Sequence, residues 1–160
     1  MVKYSWFKTP VPINLEIKQV YGVVFSNEGN ILLRIDDKKY KLTGGKPEKI
    51  DENLEATLKR EYLEELNVEI EEIHYLGYLL VEENNKQYAQ VRMIARIKRI
   101  GEIKPDVDNG KIYKRFMANS NNVKKYLNYS DLAGNQLIDD AINIAKEIYN
   151  FKYDDKEYFI

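Results

Sequence analysis

The chain has 160 residues, no cysteine and one histidine, with 44% hydrophobic and 32% charged residues. That length and balance fit one domain, 1–160, with a core of its own, and the missing cysteines exclude disulfides, thiolate metal sites and a cysteine nucleophile. The net charge of -1 conceals two opposed runs, ten acidic against four basic residues from Lys46 to Glu72 and eleven basic against three acidic from Lys86 to Lys125; an acidic patch suits metal cations and a basic one phosphate, although two solvated faces explain the charges more simply.

Met1 to Pro12 carries Trp6 and Phe7 but no apolar run of signal-peptide length, and no segment approaches a membrane span. The expected address is therefore cytoplasmic. Glu16 to Ser26 and Ile31 to Asp36 read as strands around the turn Asn27-Glu28-Gly29-Asn30, and Tyr40 to Thr43 as a short strand running into Gly44-Gly45. Leu54 to Leu66 is the first helix, with Asp51 or Asn53 as N-cap and Asn67 at its end, where a left-handed conformation stops a helix. Val68 to Glu82 and Gln87 to Ile100 are strands joined through Glu83-Asn84-Asn85-Lys86. Asp106 to Gly110 is a loop, Lys111 to Ala118 a strand, Asn121 to Tyr126 a short helix, and Asn135 to Asn150 a second long helix with Asp139 and Asp140 in its first turn. Strands with one helix between them and one at the end predict an α+β fold, a mixed sheet covered by helices.

In Arg60-Glu61-Tyr62-Leu63-Glu64-Glu65 the three carboxylates stand at i, i+3 and i+4, so they share one helix face. Such a face is repulsive unless something positive neutralises it. Hard oxygen donors suit Mg²⁺ or Mn²⁺, which also accept phosphate oxygens. A solvated helix of good helix formers accounts for the same residues taken alone. The stretch GGKPEKIDENLEATLKREYLEELNV, however, resembles the Nudix box. Counting back from Arg60 puts Glu52 at the isolated glutamate, with a one-residue insertion in the Glu48 to Asp51 loop, and Asn67 stands where the box has glycine.

The resemblance implies a Nudix-like α/β/α sandwich. It also implies a metal-dependent pyrophosphohydrolase that cleaves, by water attack, a phosphoanhydride in a nucleoside diphosphate linked to another moiety, or in a nucleoside triphosphate. Glu61 and Glu65 match the principal metal ligands, Glu64 a further ligand or water-activating residue, and Gly44 or Gly45 a backbone ligand. Arg60 matches the arginine that orients a box carboxylate, and Glu52 the residue that fixes the loop against the helix. Family members often take one more acidic ligand downstream, for which Asp106, Asp108 and Glu102 are candidates, although Asp-Asn-Gly is also good turn chemistry.

Along Tyr88 to Arg96, alternation places Arg92 and Arg96 on one strand face, where forked guanidinium groups suit a diphosphate; Arg34 is a weaker candidate, and an edge strand facing water explains them as well. His74, in a β pattern, reads as a packing residue. The implied partner is a small nucleotide-type molecule, with no membrane or nucleic acid expected and a homodimer allowed. Two rival readings are a non-catalytic nucleotide-sensing module, which three retained glutamates disfavour, and an isoprenoid diphosphate isomerase, which the missing cysteine disfavours.

Overall fold

The computed structural model describes residues 1–160. Its strands are β1 (Val2–Phe7), β2 (Ile17–Phe25), β3 (Ile31–Asp36), β4 (Lys39–Lys41), β5 (Thr43–Gly45), β6 (Val68–Glu83), β7 (Lys86–Ile100), β8 (Lys114–Ala118) and β9 (Tyr158–Phe159). Its helices are α1 (Leu54–Leu66), α2 (Val123–Leu127) and α3 (Leu132–Ile148). The sheet runs β1-β6-β7-β2-β3-β8-β9, with β4 added to β3 and β5 to β2. Its pairs are antiparallel except β2 with β7, which are parallel.

The apolar pattern of β2 divides the core in two. Val20 and Val24 pack with Leu58, Tyr62 and Leu66 of α1, whereas Val23 and Phe25 pack with Leu137, Ile138, Ala141 and Ala145 of α3. This is the period of two expected of a strand buried on both faces, and it sets one helix on each side of the sheet. The α/β/α sandwich is thus explained residue by residue. β6 and β7 form the long hairpin, whose turn residues Asn84 and Asn85 take positive φ angles of 52° and 61°, a geometry Asn tolerates and most residues do not.

Three expectations need correction. The strand expected from Tyr40 to Thr43 is two strands: Lys39–Lys41 pairs with β3 and Thr43–Gly45 with β2, so the chain changes partner at Leu42. The second long helix begins earlier, because Asp131 is its N-cap and accepts the Gly134 amide at 2.7 Å; Asp139 and Asp140 are therefore mid-helix, paired with Lys124 and with Trp6 and Lys8. β1 and β9 were not anticipated. β1 is fixed from outside itself, by pairing with β6 and by the Trp6 Nε1 donating to Asp140 at 2.8 Å.

The feature that matters most for the site is a split in the sheet. β2 and β3 are registered only at Phe25 with Ile31, then diverge, with β5 on one lip and β4 on the other. A cleft opens between them, closed on one side by Tyr126 and Leu127 at the end of α2.

Candidate active site

α1 is delimited by its own sequence. Asn53 accepts the Ala56 amide at 2.8 Å, and Asn67 ends the helix at φ 51°, ψ 46° while its N–H returns to the Leu63 carbonyl. Asn67 thus takes the left-handed position expected of it. Tyr62, fully buried, donates from its hydroxyl to the Gly22 carbonyl at 3.1 Å and fixes the helix azimuth against β2. The adjoining face then sets Glu61 against Gly45 of β5 and Glu65 against Arg34 of β3.

Arg60 organises that face. Its Nε and Nη2 each donate to Asp51 at 2.9 Å, Nη2 also to the Lys46 carbonyl at 3.1 Å, and Nη1 to Glu61 at 3.0 Å and Glu64 at 3.2 Å. One guanidinium therefore holds the box loop and two of the three glutamates. Asp51, whose side chain is 4% exposed, also accepts from the Thr57 hydroxyl at 2.8 Å and the Glu48 amide at 2.9 Å. The bonds from Arg60 hold its carboxyl far below the ordinary carboxylate range.

The role expected of Glu52 falls to Asp51. Glu52 is exposed and makes no side-chain bond. With Asp51 as the loop acid, five residues separate it from Gly45, as in the box, and the extra residue lies between Asp51 and Arg60. The spacing from the glycine side carried that signal; counting back from the arginine hid it.

Glu65 meets Arg34 at 3.2 Å, with both side chains largely buried. Burial raises the Glu65 carboxyl to about 7 against the opposing pull of Arg34, with Glu61 and Asp106 adding repulsion. Burial likewise raises Glu61 and Glu64; Arg60 opposes this, and Asp108 adds to it in both. Asp106 and Asp108 thus lie within electrostatic reach of the box glutamates. Asp106 is buried and accepts the Asp108 amide at 2.8 Å, so turn chemistry and proximity to the site coexist there. Glu102 does not join them: its side chain is exposed, and its carbonyl accepts from the Asn67 side chain at 2.9 Å.

The residues fit a divalent cation. A Cβ at Gly45 would overlap the Glu61 carboxylate, so the glycine makes the space in which that group lies beside the backbone. The Glu65 Oε2 is buried, with an ion pair to the Arg34 Nη1 at 3.2 Å but no well-aligned hydrogen bond. The donors are hard oxygens. No three acidic groups close into a finished cage, because Arg60 and Arg34 occupy them.

The cleft beside this face is a cavity of about 690 Å³ whose lining includes Tyr21, Arg34, Tyr40, Arg92, Tyr126 and Tyr129. Arg92 stacks over Tyr21 at 4.7 Å and Arg34 over Tyr113 at 4.7 Å. The tyrosines carried no site signal in the sequence: Tyr21 and Tyr40 at strand positions look like core, and Tyr126 and Tyr129 come from a short helix and the loop after it, distant in sequence from the box. Arg96 lies elsewhere: it bonds Glu72 at 2.8 Å and Asn27 at 2.6 Å, beyond the cleft. The basic run is similarly spent in part across the hairpin, in Arg99 with Glu69 and Arg96 with Glu72. His74 is exposed against the Tyr149 ring at 6.0 Å, outside the cavity.

Comparison with known proteins agrees with this architecture. A Bacillus subtilis pyrophosphohydrolase superposes with a TM-score of 0.67 at 21% identity, over 86% of this chain and 88% of that one. The NUDIX domain of Shewanella oneidensis NrtR, solved with ADP-ribose, gives 0.61 at 19% identity over 82% and 90%, and a Caenorhabditis elegans Ap4A hydrolase 0.57 at 14% over 82% and 98%. At these identities the likeness establishes the fold. A search of curated protein sequences gave no match. The family model of the NUDIX domain matches residues 17–126, which include the box and most of the residues that line the cleft. The chain therefore belongs to the Nudix family, as a hydrolase acting on phosphorus-containing acid anhydrides.

Proposed function

We propose that the chain is a divalent-metal-dependent pyrophosphohydrolase of a nucleotide-type substrate, with Glu61, Glu64 and Glu65 as metal-binding carboxylates. Nudix hydrolases generally use Mg²⁺ or Mn²⁺. The observation that carries the reading is the Arg60 guanidinium holding Glu61 and Glu64 together beside the space left by Gly45.

These carboxylates and the Gly44 or Gly45 carbonyl would hold such a cation, which would supply Lewis-acid polarisation of the phosphate and a lowered pKa for a bound water. The chain's own residues do the rest. Arg34, beside Glu65 on the cleft wall, presents a guanidinium to a phosphate oxygen. Tyr21, Tyr40 and Tyr126 offer aromatic surface for an apolar or heterocyclic portion. The water oxygen bonds to phosphorus as the bridging P–O bond breaks, and its proton passes to a carboxylate oxygen. We assign that oxygen to Glu64, whose side chain is the most open of the three at 22% exposed. Arg60 keeps Glu61 and Glu64 from rotating away, and Asp51 keeps Arg60 in place.

The test is phosphate release, as pyrophosphate or a phosphomonoester separated chromatographically, from a panel of nucleoside triphosphates, dinucleoside polyphosphates, ADP-ribose and sugar nucleotides, with Mg²⁺ and with EDTA. Turnover of at least one member with Mg²⁺, abolished by EDTA and by Glu64→Gln, supports the reading. Saturable binding with no phosphate release from any member points instead to a nucleotide sensor and overturns it.

A further inference from the structure

Arg92 is out of place in the scheme above. It lies on β7, its side chain directed to the sheet face that packs α3, because its neighbours Val91 and Met93 pack with α1 on the other. In register it follows Gly44 and Tyr21 across three adjacent strands, which separates it from the β5 glycines by two strand spacings, roughly 10 Å. It is 5% exposed. Its Nε and Nη1 are buried with no hydrogen-bond partner, and it forms no ion pair. Tyr21 under its plane and Tyr129 beside it are the compensations present.

A buried guanidinium without a carboxylate is costly, and folded proteins rarely leave one so. The 690 Å³ cleft it lines contains no acidic residue, while Lys38 and Lys39, where the chain turns from β3 into β4, line the cleft without ion pairs. In the smaller cavity on its other side the one acid, Asp131, forms no ion pair with it and caps α3 through the Gly134 amide. Arg34, the other arginine of the cavity, already has Glu65. The cleft thus has two cationic positions of different kinds. One belongs to the carboxylates of α1, and the other lies across Tyr21 with nothing to neutralise it.

We propose that Arg92 is the anchor of a second anion site, and that the substrate carries a phosphate-type group distant from the diphosphate that is cleaved. The substrate class is then a diphosphate bearing an additional phosphomonoester, with Lys38 and Lys39 attracting it and the Arg92 fork receiving two of its oxygens. This rests on the hydrolase reading for the cleaved bond, but the anion site itself requires neither metal nor turnover.

The test uses the full chain in EDTA at fixed ionic strength, with calorimetric titration of inorganic tripolyphosphate, then of NADH and NADPH, which differ only by a phosphomonoester. Wild type should bind tripolyphosphate and favour NADPH at least tenfold. Arg92→Met and Arg92→Gln should each lose that preference, Arg92→Lys should keep part of it, and Glu61→Gln should leave it intact. Arg92→Met should also melt no lower than wild type, since it removes an unpaired buried charge and keeps the stem. No NADPH preference in wild type, or one that survives Arg92→Met, overturns the substrate class. A fall of several degrees in the melting temperature of both Arg92→Met and Arg92→Gln makes Arg92 a structural residue and overturns the anion site. Loss of metal-dependent phosphate release with the tripolyphosphate result retained would strike the hydrolase reading alone.

Discussion

Arg60 and Arg92 are both largely removed from bulk water, one in the box and one in the cleft, yet their surroundings are opposite. Arg60 donates to Asp51, Glu61, Glu64 and a backbone carbonyl, and its guanidinium has no orphaned nitrogen. Arg92 stacks on Tyr21 and has two orphaned nitrogens. A satisfied guanidinium makes structure rigid; an unsatisfied one is a position whose partner arrives from outside. Substitutions at the two arginines, and at the groups that hold them, should therefore part company.

The largest effect is expected in turnover from the carboxylates that Arg60 orients. Glu64→Gln keeps an acceptor for the Arg60 Nη1 and should leave the apo melting temperature level or higher, while phosphate release falls by at least about 100-fold. Kinetics beside thermal melting checks this; a low melting temperature with full turnover would return Glu64 to a structural role. The next is a stability effect. Asp51→Ala strips Arg60 of its principal partner and should cost about 3 kcal/mol in urea unfolding. Glu52→Ala, at the neighbouring exposed residue, should stay within about 0.5 kcal/mol. Equal costs would undo the assignment of Asp51 as the loop acid.

Asp51 and Glu65 give pH dependences of opposite sign. The Asp51 carboxyl is depressed in the fold, so its stabilisation is complete above the ordinary carboxylate range and is lost as pH falls below that range. The Glu65 carboxyl is raised by burial to about 7, so its protonated form favours the fold. That contribution is present at low pH and is lost as pH rises from about 4.3, its usual value, to about 7. Apo melting curves from about pH 2 to 8 should flatten above about pH 4 in Glu65→Gln and keep their acid limb; in Asp51→Asn the acid limb should shrink. A smaller effect belongs to Asn67, where Ala should cost about 1 kcal/mol by straining the left-handed residue.

These contrasts also mark what the sequence could carry. α1 was legible to the residue because its ends are signalled locally, by Asn53 and Asn67. β1 was not, since its evidence is the distant partner β6 and the bond from Trp6 to Asp140. Within the site, the glutamates follow from helix geometry, whereas the choice between Asp51 and Glu52 depends on where a loop absorbs one residue. Alternation rightly put Arg92 and Arg96 on one strand face. It could not tell that four residues along β7 carry Arg96 past the cleft to Glu72 and Asn27.

The most direct measurement of the central claim, that the face held by Arg60 binds a divalent cation, is Mn²⁺ titration followed by electron paramagnetic resonance. Wild type and Arg92→Met should bind Mn²⁺ with the same affinity, and Glu61→Gln and Glu65→Gln should each weaken it at least tenfold. Equal affinity in all four proteins, or no binding in wild type, would contradict the assignment.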